Sequence, residues 1–532
     1  MRLHKVSVFI PSESPAMYGG DNGIVFKCFI ERVWFKATSF LTGFTLFSLF
    51  VICGCSGSRT DGSISLSIHS IPPQPVTVLN TLSLPQHADN VIITITGKDF
   101  SPIVKDVSVA ANPSGVTING IPEGYNRTVG VEVKDASGAV IARGKTTGIR
   151  IIAGSVNNVD TLITGTGVFT RLESKPIPRA FAVSSQLPDG TYIIMGGIVK
   201  GQSPCGQGCV QYNATSQTER YDPKTGTFSP GPQMTETRVF FTANALSDGS
   251  IAVIGGTDIV NINCNMTACS ITVPGEHTKT SIEVYDPVSD NFYKGLTLTM
   301  PRAGHTADIL TGDTLLISGG ISTNRSANSA ELVDIKTGKF ATYAMSFARS
   351  FQTTVVYSDD EVFLACGNSA GSNAEFFQLS GFTLSNNITC TTYFPSSAFI
   401  HDEEEILVNG GVNAYWQPVS QLMLIDPFNR VVHSYYSMTL PRALFSDILL
   451  GDGNVLIAGG VTTPVFTPTC SAEVFSPVSK SFVKYPSLSI PRAGYTAQNL
   501  QDGSALIVSG FSAINPLTID ITFPDTAEIY NP

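Results

Sequence analysis

The sequence predicts an all-β chain, a closed array of seven four-stranded sheets preceded by a smaller β domain. Three observations predict it. The stretch "PRAGHTADILTGDTLLISGG" at 301–320 returns as "PRALFSDILLGDGNVLIAGG" at 441–460 and "PRAGYTAQNLQDGSALIVSG" at 491–510, and self-similarity at a period of about 50 residues marks a repeat array. With 48 Gly, 31 Pro and 31 Phe against 9 Met in 532 residues, the composition favours turn-rich β-structure over helix bundles. Within each repeat a tight turn, often Asp-Gly, separates two short apolar runs, and that is the strongest short-range hairpin signal.

At the N-terminal end, residues 39–54, "SFLTGFTLFSLFVICG", are an apolar run preceded by Lys27, Arg32 and Lys36 and followed by Cys55. The run is short for a membrane-spanning helix, although an uncleaved signal anchor would have the same composition. "ICGC" at 52–55 resembles the bacterial lipoprotein box. That resemblance implies a signal peptide over 1–54, with Met17 as an alternative start, diacylation of Cys55 and a lipidated linker over 55–61. Ser56 in place of Asp implies the outer membrane, on its periplasmic side or at the cell surface. Two or three acyl chains anchor a protein firmly.

Residues 62–162 have another texture. "VIITITGKDF", "GVTINGIP" and "RTVGVEVKDASGAVIARGKT" alternate apolar and polar residues about Gly, Pro and Asp turns, at the spacing of a β-sandwich. The segment is expected to be a small Ig-like or transthyretin-like sandwich, a stalk that lifts the rest off the membrane, and no site is recognised in it.

From 166 to 532 the repeat takes over. Its second strands are "IIMGG" at 193, "IAVIGG" at 251, "LLISGG" at 315, "VFLACG" at 362, "ILVNGG" at 406, "VLIAGG" at 455 and "ALIVSG" at 505; third strands are expected at 218, 282, 330, 374, 422, 472 and 527. Seven such sheets arranged radially make a β-propeller, which removes free edges by repetition. The last repeat, ending "AEIYNP", lacks a fourth strand, and "TGVF" at 166–169 matches "TGTF" at 225 and "TGKF" at 337. Residues 167–175 are therefore expected to supply that strand and close the ring. The double glycine, the Tyr-Asp pair and the aromatic six residues after that Asp resemble the Kelch family of β-propellers. Departures are Phe228, Phe292, Phe340 and Phe482 where Kelch usually has Trp, a degenerate fourth repeat, and Ser396 at the expected arginine position of the fifth.

In such a sheet the links from strand one to two and from three to four lie on one face, and all other links lie on the opposite face. The first set reads as tight turns. The second includes the long segments 198–217 and 257–280, with 412–420, 461–471 and 511–526, and long loops on a rigid scaffold are where binding residues sit. Arg179, Arg238, Arg302, Arg349, Arg442 and Arg492 begin the innermost strands on that face, near the mouth of a central channel. Six guanidiniums there could hold a carboxylate or a sulfated sugar, or each could bond carbonyls between sheets, since a residue repeated in nearly every unit usually serves the repeat. Tyr415 and Trp416, in the loop of the fifth repeat, suit a sugar ring or a protein hot spot, or a plug packed on its own sheet. The pairs Cys205 with Cys209 and Cys264 with Cys269 read as local disulfides of an exported protein; Cys366, Cys390 and Cys470 leave an odd thiol. His305 and Asp308, on a strand facing the channel, form a conceivable base and acid or a satisfied core pair, and "HDEEE" at 401 is a solvated turn without calcium-loop spacing.

A net charge of −10 argues against nucleic-acid and anionic-membrane partners. Galactose oxidase is a seven-bladed Kelch-type enzyme whose copper needs two His and two Tyr, whereas His277, His305, His401 and His433 are scattered in this sequence. No catalytic residue, metal ligand or cofactor is assigned. The expectation is a monomeric, exported, membrane-anchored binding protein whose long-loop face takes a protein or a glycan. The alternatives are an enzyme resembling the Kelch-type sialic acid mutarotases or copper oxidases, and a purely structural cell-surface component.

Overall fold

Alternation in "VIITITG" puts Val91, Ile93 and Ile95 on one face of a strand, all buried, as a period of two demands. The structure, a computed structural model, describes residues 62–70, 84–111, 116–368 and 372–532; the expected signal segment and Cys55 lie outside them. Seven strands come first: β1 (Gly62–Ser70), β2 (Ala88–Gly97), β3 (Phe100–Ser108), β4 (Val116–Ile121), β5 (Gly124–Asp135), β6 (Val140–Ile151) and β7 (Val156–Gly165). They form one hydrogen-bonded path in the order β3-β2-β5-β6-β7-β1-β4, antiparallel except where β1 lies beside β7. A single apolar cluster draws Ile64 and Leu66 from β1, Ile118 from β4, Val159 and Ile163 from β7, and Val129, Val131 and Val133 from β5. Both ends of the path therefore share one core.

After β8 (Val168–Arg171) come seven sheets built on the repeat, besides two further sheets formed by the loops between their strands. Sheet 1 lies within 183–230, sheet 2 within 242–297, sheet 3 within 306–349, sheet 4 within 353–390, sheet 5 within 396–442 and sheet 6 within 447–485, each with its four main strands in chain order and sheet 3 with the short Ile321–Ser322 in addition. Sheet 7 comprises Thr496–Asn499, Ala505–Val508, Ala527–Asn531 and β8, with β8 antiparallel to Ala527–Asn531. The first strand of each sheet neighbours the first strands of the sheets before and after it, and that of sheet 7 returns to that of sheet 1. The described chain is thus all-β, its only helical pieces being the short turns Val109–Ala111 and Gly275–His277.

The recurring residues explain the recurring sheet. Second strands such as Ile251–Ile254 and Val455–Ala458 are buried along their whole length, because a neighbouring sheet covers each face; continuous apolar runs replace alternation there. The glycines that follow admit a close backbone. Gly256 has φ +94, and a Cβ on it would stand 2.8 Å from Phe241 Cβ and 2.9 Å from the Val239 carbonyl. The N–H at this position donates to a carbonyl just before the next first strand: Gly197 to Arg238, Gly256 to Arg302, Gly320 to Arg349, Gly367 to Thr392, Gly411 to Arg442, Gly460 to Arg492 and Gly510 to Arg179, all at 2.7–2.9 Å. One kind of hydrogen bond therefore runs through all seven sheets and closes on itself. The motif aromatics pack across strands three and four, Tyr221 on Phe228 at 4.9 Å and Tyr285 on Phe292 at 5.0 Å. Tyr530 packs on Phe169 of β8 at 5.1 Å, so the closing strand supplies the same contact. The aspartates of the turns accept backbone N–H groups two residues on, as Asp286 does from Val288 and Asp248 from Ser250, the usual Asx closure.

Candidate functional site

The six arginines do not line an opening. Each donates from Nη1 to the carbonyl 17 residues later, on Gly196, Gly255, Gly319, Cys366, Gly459 or Ser509, at 2.5–3.0 Å. Each also pairs with a glutamate of its own third strand: Arg179 with Glu219, Arg238 with Glu283, Arg302 with Glu331, Arg349 with Glu375, Arg442 with Glu473 and Arg492 with Glu528, at 2.6–3.2 Å and with side chains no more than 3% exposed. The second carboxylate oxygen takes a backbone N–H three residues before the arginine, from Thr299 in sheet 3 and from Ser489 in sheet 7. Such a guanidinium has no fork left for a ligand, so the expectation of an anion site there is corrected to one of an internal clamp.

The glutamates escaped the sequence reading, yet their signal is present: "ERYD", "EVYD", "ELVD", "EFFQ", "EVFS" and "EIYN" all start with it. Sheet 5 lacks both members. The carbonyl that accepts from Gly367 belongs to Thr392, so Thr392, not Ser396, stands where the arginine would be. Met423 faces Val408 across the strands as Glu473 faces Ile457 in sheet 6. Beside this gap a disulfide joins Cys366 to Cys390, and Cys470 remains the free thiol among the described cysteines.

The long loops do not stand separately. Those of sheets 1 and 2, Ile198–Gly206 with Cys209–Ala214 and Ile259–Cys264 with Cys269–Thr272, pair into one four-stranded sheet. Disulfides Cys205–Cys209 and Cys264–Cys269 close its hairpins. The Cys269 N–H donates to Pro464 of the sheet 6 loop at 2.7 Å, and the Tyr212 hydroxyl donates to Ile519 of the sheet 7 loop at 2.6 Å. Trp416 is half-buried, 6.1 Å from Phe394 and 6.1 Å from Phe466 between ring centres, so the expectation of an exposed Tyr-Trp pair holds for Tyr415 alone. Tyr415 is 78% exposed, Met266 74% and Leu517 73%, at the tips of the loops of sheets 5, 2 and 7. Asp402 and Glu404 are exposed in the tight turn before Glu405.

At the centre of the cycle the residues two places after each clamp arginine, or after Thr392 in sheet 5, collect. Phe240 packs 5.1 Å from Phe181 and 5.0 Å from Phe351, and Phe351 stacks on Phe394 at 4.2 Å. His305 lies behind them, its Nε2 3.2 Å from Thr242 Oγ1; burial, with Arg302 and Arg238 adding to it, pulls its pKa down to about 3 and keeps it neutral. Asp308 and His305 are not joined. Asp308 accepts from Thr354 Oγ1 at 2.8 Å, and burial raises its pKa to about 7, as it does for Asp447. The other histidines are spread out, His277 on Asp258, His433 on Glu405 and His401 against Phe399.

No protein-family model matches the sequence, and no curated protein matches it. Among solved structures the chain is similar to a "novel fungal alcohol oxidase with catalytic diversity among the AA5 family, in complex with copper", with a TM-score of 0.51 and 15% identity over 69% of this chain and 76% of that one. The residues present do not fit such a metal: His277 lies on Asp258, His305 beside Thr242, His401 against Phe399 and His433 on Glu405, so no two of them come together, and phenyl rings line the centre. At this identity the likeness is one of fold, and it shows this chain to share an all-β, sheet-rich architecture with that oxidase.

Proposed function

We propose that the chain is a partner-binding protein: a seven-bladed propeller of Kelch type behind an Ig-like or transthyretin-like sandwich, which takes a protein or glycan on its long-loop face. The observation that carries this reading is the convergence of loops from sheets 1, 2, 5, 6 and 7, tied by disulfides and by hydrogen bonds between loops. Disulfides that order loops before contact reduce the entropy lost on binding, and Tyr415, Met266 and Leu517 offer exposed apolar tips. Hydrogen exchange on the complex with a captured partner tests it. Protection is expected near 266, 415 and 517, and protection confined to the turns near 248, 313 and 452 would mean the wrong face. Tyr415→Ala should weaken binding by more than about 1 kcal/mol, whereas Asp402→Lys should leave it unchanged.

The likeness to a copper alcohol oxidase favours a second reading, an enzyme. Metal analysis together with an alcohol oxidation assay on purified protein separates the two, since copper at one per chain with turnover would displace the binding reading. The membrane anchor rests on "ICGC" following the apolar run at 39–54. Labelled fatty acid should be incorporated in cells and lost in Cys55→Ala; label kept by the variant would end that part of the proposal.

A further inference from the structure

The seven-stranded sheet has one end that its own packing leaves apolar. Tyr125 is 65% exposed, Ile152 51% and Val156 62%, and the strand register brings the three together. Gly124 pairs with Ile151, so Tyr125 and Ile152 lie beside that pair. The turn that follows is closed by the Ser155 N–H and Oγ, which donate to the Ile152 carbonyl at 3.3 and 2.8 Å, and Val156 opens β7 directly after it. Single exposed apolar residues are ordinary, whereas a group of them at one strand end marks a contact surface. Over the Tyr125 ring stands the Arg150 guanidinium, 4.8 Å from the ring centre. Arg150 is exposed and has no carboxylate partner among the described residues.

The place of this end in the chain indicates what would cover it. β1 begins at Gly62, and Ser63 lies beside Val156. Because β1 and β7 run parallel, the chain enters the sheet at this end, and β7 leaves for the ring at the other. Cys55, the expected acylation site, precedes Gly62 by seven residues, a reach of at most about 25 Å. Acyl chains on Cys55 would therefore bring the end that carries Tyr125, Ile152 and Val156 to the bilayer. Its chemistry suits the headgroup level, where tyrosine rings lie at the boundary and a guanidinium can meet a phosphate. Lys98 and Asp99, in the turn between β2 and β3, and Glu123, just before β5, are exposed at the same end. With Arg150 they make two cations and two anions, a balance that favours a zwitterionic surface over an anionic one.

We propose that this end of the seven-stranded sheet docks on a zwitterionic lipid surface. Tyr125, Ile152 and Val156 enter the boundary between headgroups and acyl chains, Arg150 meets a lipid phosphate, and the anchored protein is held in a fixed orientation rather than loosely on a tether. This rests on the reading of Cys55 as a lipid anchor. The test uses the full acylated chain in phosphatidylcholine vesicles with brominated acyl chains, which quench a tryptophan that reaches their depth. Over the wild-type background from Trp416, the added emission of Ile152→Trp should be quenched about twofold or more, and that of Met266→Trp, at a loop tip of sheet 2, should be unchanged. Tyr125→Ser with Val156→Asp, placed in the Ile152→Trp chain, should bring quenching down to the Met266→Trp level. Acylation and melting temperature should stay as they were, since these side chains are exposed. Quenching that survives the double substitution would show a tether alone, and an acylated Ile152→Trp chain without quenching would show that this end stands clear of the bilayer; either result overturns the docking while the anchor stands. A chain that carries no acyl group would overturn the anchor reading, and the docking with it.

Discussion

Arg302 gives up its water on folding and regains bonds to Glu331, to the Gly319 and Ser329 carbonyls and to Ser329 Oγ. Attraction within a buried pair roughly offsets its desolvation, but an unmatched member is costly. Glu331→Ala should therefore cost about 3–5 kcal/mol in denaturant unfolding. Arg302→Thr with Glu331→Met copies Thr392 and Met423 of sheet 5, and should cost less than the two single changes summed; strict additivity would show that the pair is not a unit. The acids at the centre act through pH. The folded pKa values of Asp308 and Asp447, about 7, stand above the ordinary aspartate value of 3.8, so the folded state holds protons that the unfolded chain has released. Their contribution is fully present below about pH 4, is lost as pH rises to about 7, and stays level above. Melting temperature should fall across that window, and Asp308→Asn should flatten the slope.

Sheet 5 lacks the clamp that the other six sheets share, and the disulfide beside it ties the end of the second strand of sheet 4 to the end of that sheet's fourth strand, where the chain enters sheet 5. Cys366 and Cys390 are 24 residues apart, and a loop of that length constrains the unfolded chain by about 3 kcal/mol. The double Cys→Ala variant should lose about that much in urea unfolding, and losing only as much as the four-residue Cys205–Cys209 link would argue against a role at this seam. β8 is the other critical element, since its removal exposes the edge of Ala527–Asn531 and strips Phe169 from Tyr530. A chain starting at 176 should melt well below one starting at 152; equal melting temperatures would contradict closure by β8.

For the whole molecule, the seven-stranded sheet and the ring of sheets are not independent. Asn531 Nδ2 donates to the Arg143 carbonyl and Thr164 Oγ1, both at 3.1 Å, Thr147 Oγ1 donates to Gln501, and Leu162 of β7 packs in a cluster with Leu172 and Tyr192. Leu162→Ala should therefore lower the stability of the ring by about 2–5 kcal/mol, although the residue belongs to the seven-stranded sheet. A loss confined to that sheet, read by segment-resolved hydrogen exchange, would contradict that coupling.

The sequence by itself determined the all-β class, the strand ends marked by double glycines and Tyr-Asp pairs, and the local disulfides, because turn chemistry, strand period and short-range cysteine pairing act over a few residues. Only the tertiary structure decided what those residues do. Arg and Glu lie 26 to 45 residues apart, so their pairing, and with it the burial of six presumed ligand residues, needed a fold to become visible. In sheet 5 the loss of both partners erased the landmark and displaced the reading from Thr392 to Ser396. Trp416 has the same composition signal whether exposed or covered; it is half-buried because Phe394 and Phe466, from other parts of the chain, arrive beside it. His305 and Gln352 have no motif at all. They come to line one central space only when the sheets, which the chain reaches one after another, are brought round it.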